Sequence, residues 1–126
     1  MMKQELPKHT KMEAVVGMAF DCLNGKSSGF SVDRDLNTPK GGYMVAGELE
    51  NEHKVTNPKE ARVVVERLFN QLLKGEYLGA WMHEGVLYLE QSYNIQDLKK
   101  AKYTASILDQ IAIWDVENNE EITLKK

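Results

Sequence analysis

The chain has one cysteine, Cys22, in 126 residues. No disulfide can therefore form within it, and a small domain without such staples suits a reducing cytosol. Only three prolines and nine glycines are present, which leaves no collagenous or Pro/Gly-rich low-complexity segment. Nowhere do about 18 apolar residues run together, so a membrane-spanning helix is excluded. Lys3, Lys8 and Lys11 stand near the start, but Glu13 and Gly17 interrupt the apolar stretch Met12 to Phe20, so no signal peptide is read. Neither sign of charge dominates: 16 basic against 19 acidic side chains give a net charge of −3. Such a balance provides no whole-molecule field to draw nucleic acid or anionic lipid. The expected location is the cytoplasm, with no membrane and no nucleic-acid partner. At 42% hydrophobic and 28% charged residues, the chain has enough apolar surface to fold. Its length suits one domain, residues 1–126, burying roughly two thirds of its surface.

Hydrophobic spacing and punctuation divide the chain into elements. Met12, Val15, Val16, Ala19, Phe20 and Leu23 share one helical face before Asn24-Gly25, predicting an amphipathic helix; the rival reading is a strand over Ala14 to Ala19. Residues 1–11 are expected to be flexible. Phe30 and Val32 alternate with polar neighbours as a short strand, residues 33–42 form a long loop, and Tyr43 to Leu49 reads as a strand that pairs back on Phe30 to Val32. Asn57-Pro58-Lys59-Glu60 opens a helix: Asn57 caps free amides, Pro58 has its φ preset, and Glu60 reaches back. The apolar face of that helix runs from Ala61 through Val64, Val65, Leu68 and Phe69 to Leu72 and Leu73, with Gly75 as a stop. Tyr77 to Met82 and Val86 to Glu90 form a hairpin across His83-Glu84-Gly85. Asn94 is the expected cap of a further helix bearing Leu98, Ala101, Ala105 and Leu108 inward and Lys99, Lys100 and Lys102 outward. Ile111 to Val116 and Ile122 to Leu124 are strands around the turn Asn118-Asn119, before a frayed Lys125-Lys126.

The fold predicted from this order is α+β: a mainly antiparallel sheet with two helices on one face in a split β-α-β, ferredoxin-like arrangement, plus the N-terminal amphipathic helix. Both faces of the Tyr77–Glu90 hairpin are apolar, so each needs cover. The N-terminal helix, or a second copy of the chain, is expected on the face the other two helices leave open. The sequence therefore predicts a homodimer.

Catalytic constellations are scarce. Gly25-Lys26-Ser27 resembles the end of a phosphate loop, but position 20 is Phe where that loop needs Gly. His9, His53 and His83 have no helical i, i+4 spacing, and His83-Glu84 lacks a second histidine because Leu87 stands there. Cys22 adjoins Asp21 and the apolar stripe of the first helix, the setting of an inert packing thiol. Acidic pairs such as Asp33/Asp35 and Glu120-Glu121 read as solvated; Asp115 alone lies inside an apolar strand and requires a lysine or backbone-amide partner. No cofactor, metal or catalytic residue is expected. Trp81, Tyr88, Trp114 and Tyr43 are the candidate ligand-binding or interface residues, and Lys99, Lys100 and Lys102 a candidate partner-facing basic patch.

The segments Gly29-Phe30-Ser31-Val32, Gly42-Tyr43-Met44-Val45, Tyr77-Leu78-Gly79-Ala80-Trp81, Gly85-Val86-Leu87-Tyr88-Leu89 and Gln110 to Asp115 with Glu120-Glu121-Ile122 together resemble small proteins carried by bacteriophages and bacterial mobile elements. The resemblance spans residues 29–124 and brings no catalytic residues with it. It implies a non-enzymatic accessory protein that binds a host factor, such as a defence protein, and inhibits or modulates it. The alternative expectation is a protein that binds a small molecule or nucleotide-like signal in a pocket walled by Trp81, Tyr88 and Trp114.

Overall fold

A computed structural model describes residues 6–47 and 52–124. Among them the chain is α+β, with three helices and seven strands in one antiparallel sheet: α1 (Lys8–Leu23), β1 (Gly29–Val32), β2 (Tyr43–Ala46), β3 (His53–Val55), α2 (Pro58–Gln71), β4 (Glu76–His83), β5 (Val86–Ile95), α3 (Leu98–Ile107), β6 (Ala112–Asp115) and β7 (Glu120–Thr123). The sheet order is β1-β4-β5-β2-β6-β7, and β3 also pairs with β5. Seven strands exceed the four of a simple split β-α-β sheet. No helix among the described residues is long and apolar enough to cross a membrane.

The ten-residue β5 organises the sheet. Along one edge Val86 to Tyr93 pair with β4; along the other, Leu87 to Leu89 face β3 and Ser92 to Ile95 face β2. The two-residue loop Glu84-Gly85 closes the β4–β5 hairpin with both residues at positive φ, 50° and 80°, the conformation whose twist matches the flanking strands. His83 therefore ends β4 opposite Val86 and does not belong to the loop. Gly29 lies against the Ala80 carbonyl and the Trp81 backbone, so β1 can approach β4 only without a side chain there.

All three helices cover the same face of the sheet. Cross-strand register places Val32, Leu78, Ala80, Leu87, Leu89 and Val55 on one side, and these pack with Val15, Val16, Ala19 and Cys22 of α1 and with Ala61, Val65, Leu68 and Phe69 of α2. Continuing along that side, Tyr43, Val45, Ile95 and Ile113 meet Ala101 and Ala105 of α3 in a second cluster. Arg62 of α2 donates to both carboxylate oxygens of Glu13 at 2.6 and 3.1 Å, joining α2 to α1.

Several expectations are corrected. The N-terminal helix does not cover the second face, because its Val15/Val16/Ala19/Cys22 stripe is buried against α2 and the first face. It also begins at Lys8, so residues 8–11, expected to be flexible, are its first turn, and Lys11 reaches Asp35 of the 33–42 loop at 2.9 Å. Residues 1–5 lie outside the described residues. β2 does not pair back on β1: β1 borders β4 and β2 sits between β5 and β6, since the longer β5 offers both edges. Leu49, the expected end of β2, and Lys125-Lys126 lie outside the described residues. The cap of α3 is Asp97, whose carboxylate accepts from the Lys100 amide at 2.9 Å. Asn94 belongs to β5 and donates its side-chain amide to the Gly41 carbonyl.

Candidate functional site

Alternation along β4 and β5 puts one residue of each pair into the core and the next on the opposite, helix-free face. On that face the register lines up Gly29, Trp81, Tyr88 and Lys54 in one row across four strands, and Ser31, Gly79 and Glu90 in the next. Trp81 and Tyr88 are direct cross-strand partners, and their rings stack at 4.2 Å between centroids with an 11° interplanar angle. The Lys54 ammonium stands over the Tyr88 ring, 5.5 Å from its centroid, and His83 lies tilted beside Trp81 at 5.8 Å. Trp81 nevertheless remains 41% exposed. This aromatic row has its outer surface in water.

Of the residues singled out from sequence, the structure brings Trp81 and Tyr88 together and separates the others. Trp114 shares their face and their exposure, 41%. It pairs with Met44, which pairs with Asn94, six residues along β5 from Tyr88; six residues of strand and two strand spacings set it about 20 Å away. Tyr43 points to the opposite face, where it is partly buried against the α3 cluster, away from Trp81 and Tyr88. Lys99, Lys100 and Lys102 are exposed on α3 beside Tyr103 and Ile107, on a separate surface, since α3 packs on the other side of the sheet. The carboxylate of Asp115 is buried and accepts from the Asn118 backbone amide at 3.2 Å and its side-chain amide at 2.8 Å. It therefore shapes the β6–β7 turn through the backbone partner its position required.

Sequence reasoning passed over the residues beside the stack. Glu90 follows Tyr88 by two positions and is half-buried on the same face. Burial, and after it the neighbouring Glu52, pushes its carboxyl up to about 7. Ser92, two positions further, is 4% exposed, and among the described residues its Oγ has no hydrogen-bond partner. Across the strand pair sits Gly79: the atoms nearest to a Cβ built there would be the Ser92 Oγ at 3.6 Å and Glu90 atoms at 3.7 Å, ordinary contacts. The signal for these residues was in the sequence, as a glycine and a glutamate within otherwise apolar strands, but which face they share follows only from the register.

Elsewhere the titratable groups serve structure. The Cys22 thiol is buried, and desolvation raises its pKa, the setting of an unreactive thiol. His9 lies on α1, His53 on β3 and His83 at the end of β4, and among the described residues no three His, Cys, Asp or Glu side chains gather as a metal-binding set. A shallow hollow between β3 and α2, about 350 Å³, is lined by His53, Lys54, Val55, Lys59, Glu60 and Val63 with Val64; Trp81 and Tyr88 take no part in it. Comparison of the chain with protein-family models, with curated proteins and with solved structures found no match.

Proposed function

We propose that the protein is a non-enzymatic interaction module of the phage or mobile-element type that its strands resemble, acting in the cytoplasm. In this reading it docks a host protein on the helix-free face of its sheet and so inhibits or modulates it. One observation carries the reading: all three helices share one face, and the other presents the stacked, exposed Trp81–Tyr88 pair. Aromatic anchors held rigid before binding lose little entropy on docking and supply much of the energy of protein interfaces. The strand order β4-β5-β2-β6, with α2 and α3 as the crossovers, supports a ferredoxin-like core to which β1 and β7 are edge additions.

The ligand-pocket alternative has less support, because Trp81, Tyr88 and Trp114 point away from the helices that would form the other wall. A homodimer closing this face on itself is the competing occupant. A different partner is placed first, because the resemblance of the strands implies a host protein as the occupant.

Native mass spectrometry of the protein purified from its own host tests this, using wild type, a Trp81→Ala/Tyr88→Ala variant and a Lys99→Ala/Lys100→Ala/Lys102→Ala variant. A host protein in stoichiometric amount is expected with wild type and the lysine variant and not with the aromatic variant. Loss only in the lysine variant would move the docking surface to α3. Wild type running at twice 14.3 kDa would establish the homodimer instead, and a retained mass of a few hundred daltons the ligand reading. A bare monomer would overturn the proposal.

A further inference from the structure

Apolar exposure is concentrated on one element away from the aromatic row. Among the described residues nine large apolar side chains are exposed, and four of them, Leu98, Tyr103, Ile107 and Ile111, fall on α3 or just beyond it. Tyr103 is the most exposed of all, at 69%. Helical geometry makes one surface of this helix. Ala101 and Ala105 are buried against the sheet, and at about 100° per residue Tyr103 stands directly opposite them. Lys99 and Ile107, four residues to either side, lie one turn away on the same face, and Lys100 and Lys102 border it on its two flanks. All three lysines are exposed. The outer side of α3 is therefore an aromatic ring and an aliphatic chain set among three cations.

Taken singly, these features are ordinary: lysines keep a helix soluble, and scattered apolar side chains occur on any surface. Their combination is not, because a solvated helix face usually carries both signs of charge, whereas Leu98–Ile107 contains no acidic residue in a chain that has more acids than bases. Among the described residues none of the three lysines is in an ion pair. Asp97, before the helix, holds the Lys100 backbone amide with its carboxylate, and Asp109 follows the helix's other end. A complement to this surface must bring negative charge at its margin and an apolar group at its centre.

We propose that the outer face of α3 is a second interaction surface, one that takes an acidic protein segment whose carboxylates meet Lys99, Lys100 and Lys102 and whose apolar side chain packs on Tyr103 and Ile107. It stands independently of the docking reading above, since α3 lies across the sheet from Trp81 and Tyr88.

Charge decides the class of occupant. The chain as a whole carries −3, so a membrane of anionic lipid or a nucleic acid, extending past the lysines, would be repelled by the rest of the molecule. A short segment meets the lysines alone, and a protein segment also supplies the aliphatic contact that Tyr103 and Ile107 offer. Exposed ion pairs are individually weak and screened by salt, so the binding is salt-sensitive.

The test is an amide-resolved NMR titration of the full chain with acetyl-Glu-Glu-Leu-Glu-Glu-Leu-amide and with the same peptide carrying glutamine for every glutamate. The acidic peptide is expected to shift the Lys99, Lys100, Lys102, Tyr103 and Ile107 amides saturably, the glutamine peptide binding about tenfold more weakly. Raising salt from about 0.05 M to about 0.5 M should weaken the acidic peptide several-fold. Lys99→Gln/Lys100→Gln/Lys102→Gln should weaken it about tenfold, and Tyr103→Ser several-fold; both variants change exposed residues only, so amides elsewhere should keep their positions. Trp81→Ala/Tyr88→Ala should bind the peptide as wild type does, and loss there would place the peptide on the aromatic row and overturn the proposal. Equal binding of the two peptides, no shift along α3, or undiminished binding by the lysine variant overturns it as well. So does a protein that ignores the peptide but sediments with vesicles of phosphatidylserine and phosphatidylcholine, which would assign the face to a membrane.

Discussion

Glu90 is costly to the fold. Its carboxyl titrates near 7 because burial beside Glu52 disfavours the charge, while in the unfolded chain it titrates near its ordinary value. Between about pH 4.5 and 7 the unfolded chain has released this proton and the native protein still holds it, so stability falls as pH rises through that window and is level above it. The loss amounts to at most about 3 kcal/mol. Glu90→Gln should match wild type at pH 5 and exceed it at pH 8, as chemical denaturation at the two pH values would record; an equal loss of stability at both would contradict the assignment. In sequence Glu90 is one acid among nineteen acidic residues, and only its place in an apolar strand marks it, because its environment is made by Gly79 across the strand and by Glu52 across the sheet. Asp115 was legible for the opposite reason: a carboxylate inside an apolar strand must find a near partner, and the Asn118 amide three residues away provides one.

At the scale of the element, local chemistry decided most of what formed. The start of α2 is the fullest case: the Asn57 side chain accepts from the Glu60 amide at 2.9 Å, and the Glu60 carboxylate accepts from the Asn57 side-chain amide and from the Thr56 backbone. Such reciprocal capping is written in four consecutive residues. The α3 cap was misassigned between Asn94 and Asp97 because both are capping types and lie three residues apart; β5, paired on both edges, extended to Ile95 and took Asn94 with it. The Glu84-Gly85 turn retains a correctable defect. Glutamate is held at φ 50°, where a side chain costs roughly 1 kcal/mol and asparagine less. Glu84→Asn should raise stability by a few tenths of a kcal/mol up to about 1, measured as a shift in the denaturation midpoint with unchanged slope. The three-residue β3 was not foreseen, since His53-Lys54-Val55 is too short to carry a period and exists as a strand only because β5 has an open edge beside it.

Across the whole molecule, the two faces of the sheet are unequal. The covered face holds Leu78, Leu87 and Leu89 at zero exposure under α1 and α2; the other presents its aromatics to water. Leu89→Ala should therefore cost about 2–5 kcal/mol, whereas Trp81→Ala should cost about 1 kcal/mol or less, the scale of the lost stacking. Urea denaturation of both variants checks the contrast, and a Trp81 variant as unstable as the Leu89 one would show that the outer face is part of the folding core. The sequence by itself determined the α+β class, the helices α2 and α3, the β4–β5 hairpin and the apolar character of both hairpin faces, because period, caps and turn residues act over a few neighbours; for α1 it left helix and strand both open. Only the tertiary structure decided that α1 lies beside α2 on the first face, that Tyr43 packs against the α3 cluster while Trp81 and Tyr88 stack outside, and that Glu90 and Ser92 lie beside Gly79. Those outcomes depend on strand register and on which buried stripe finds which partner, and such choices are settled by contacts between residues far apart in the chain.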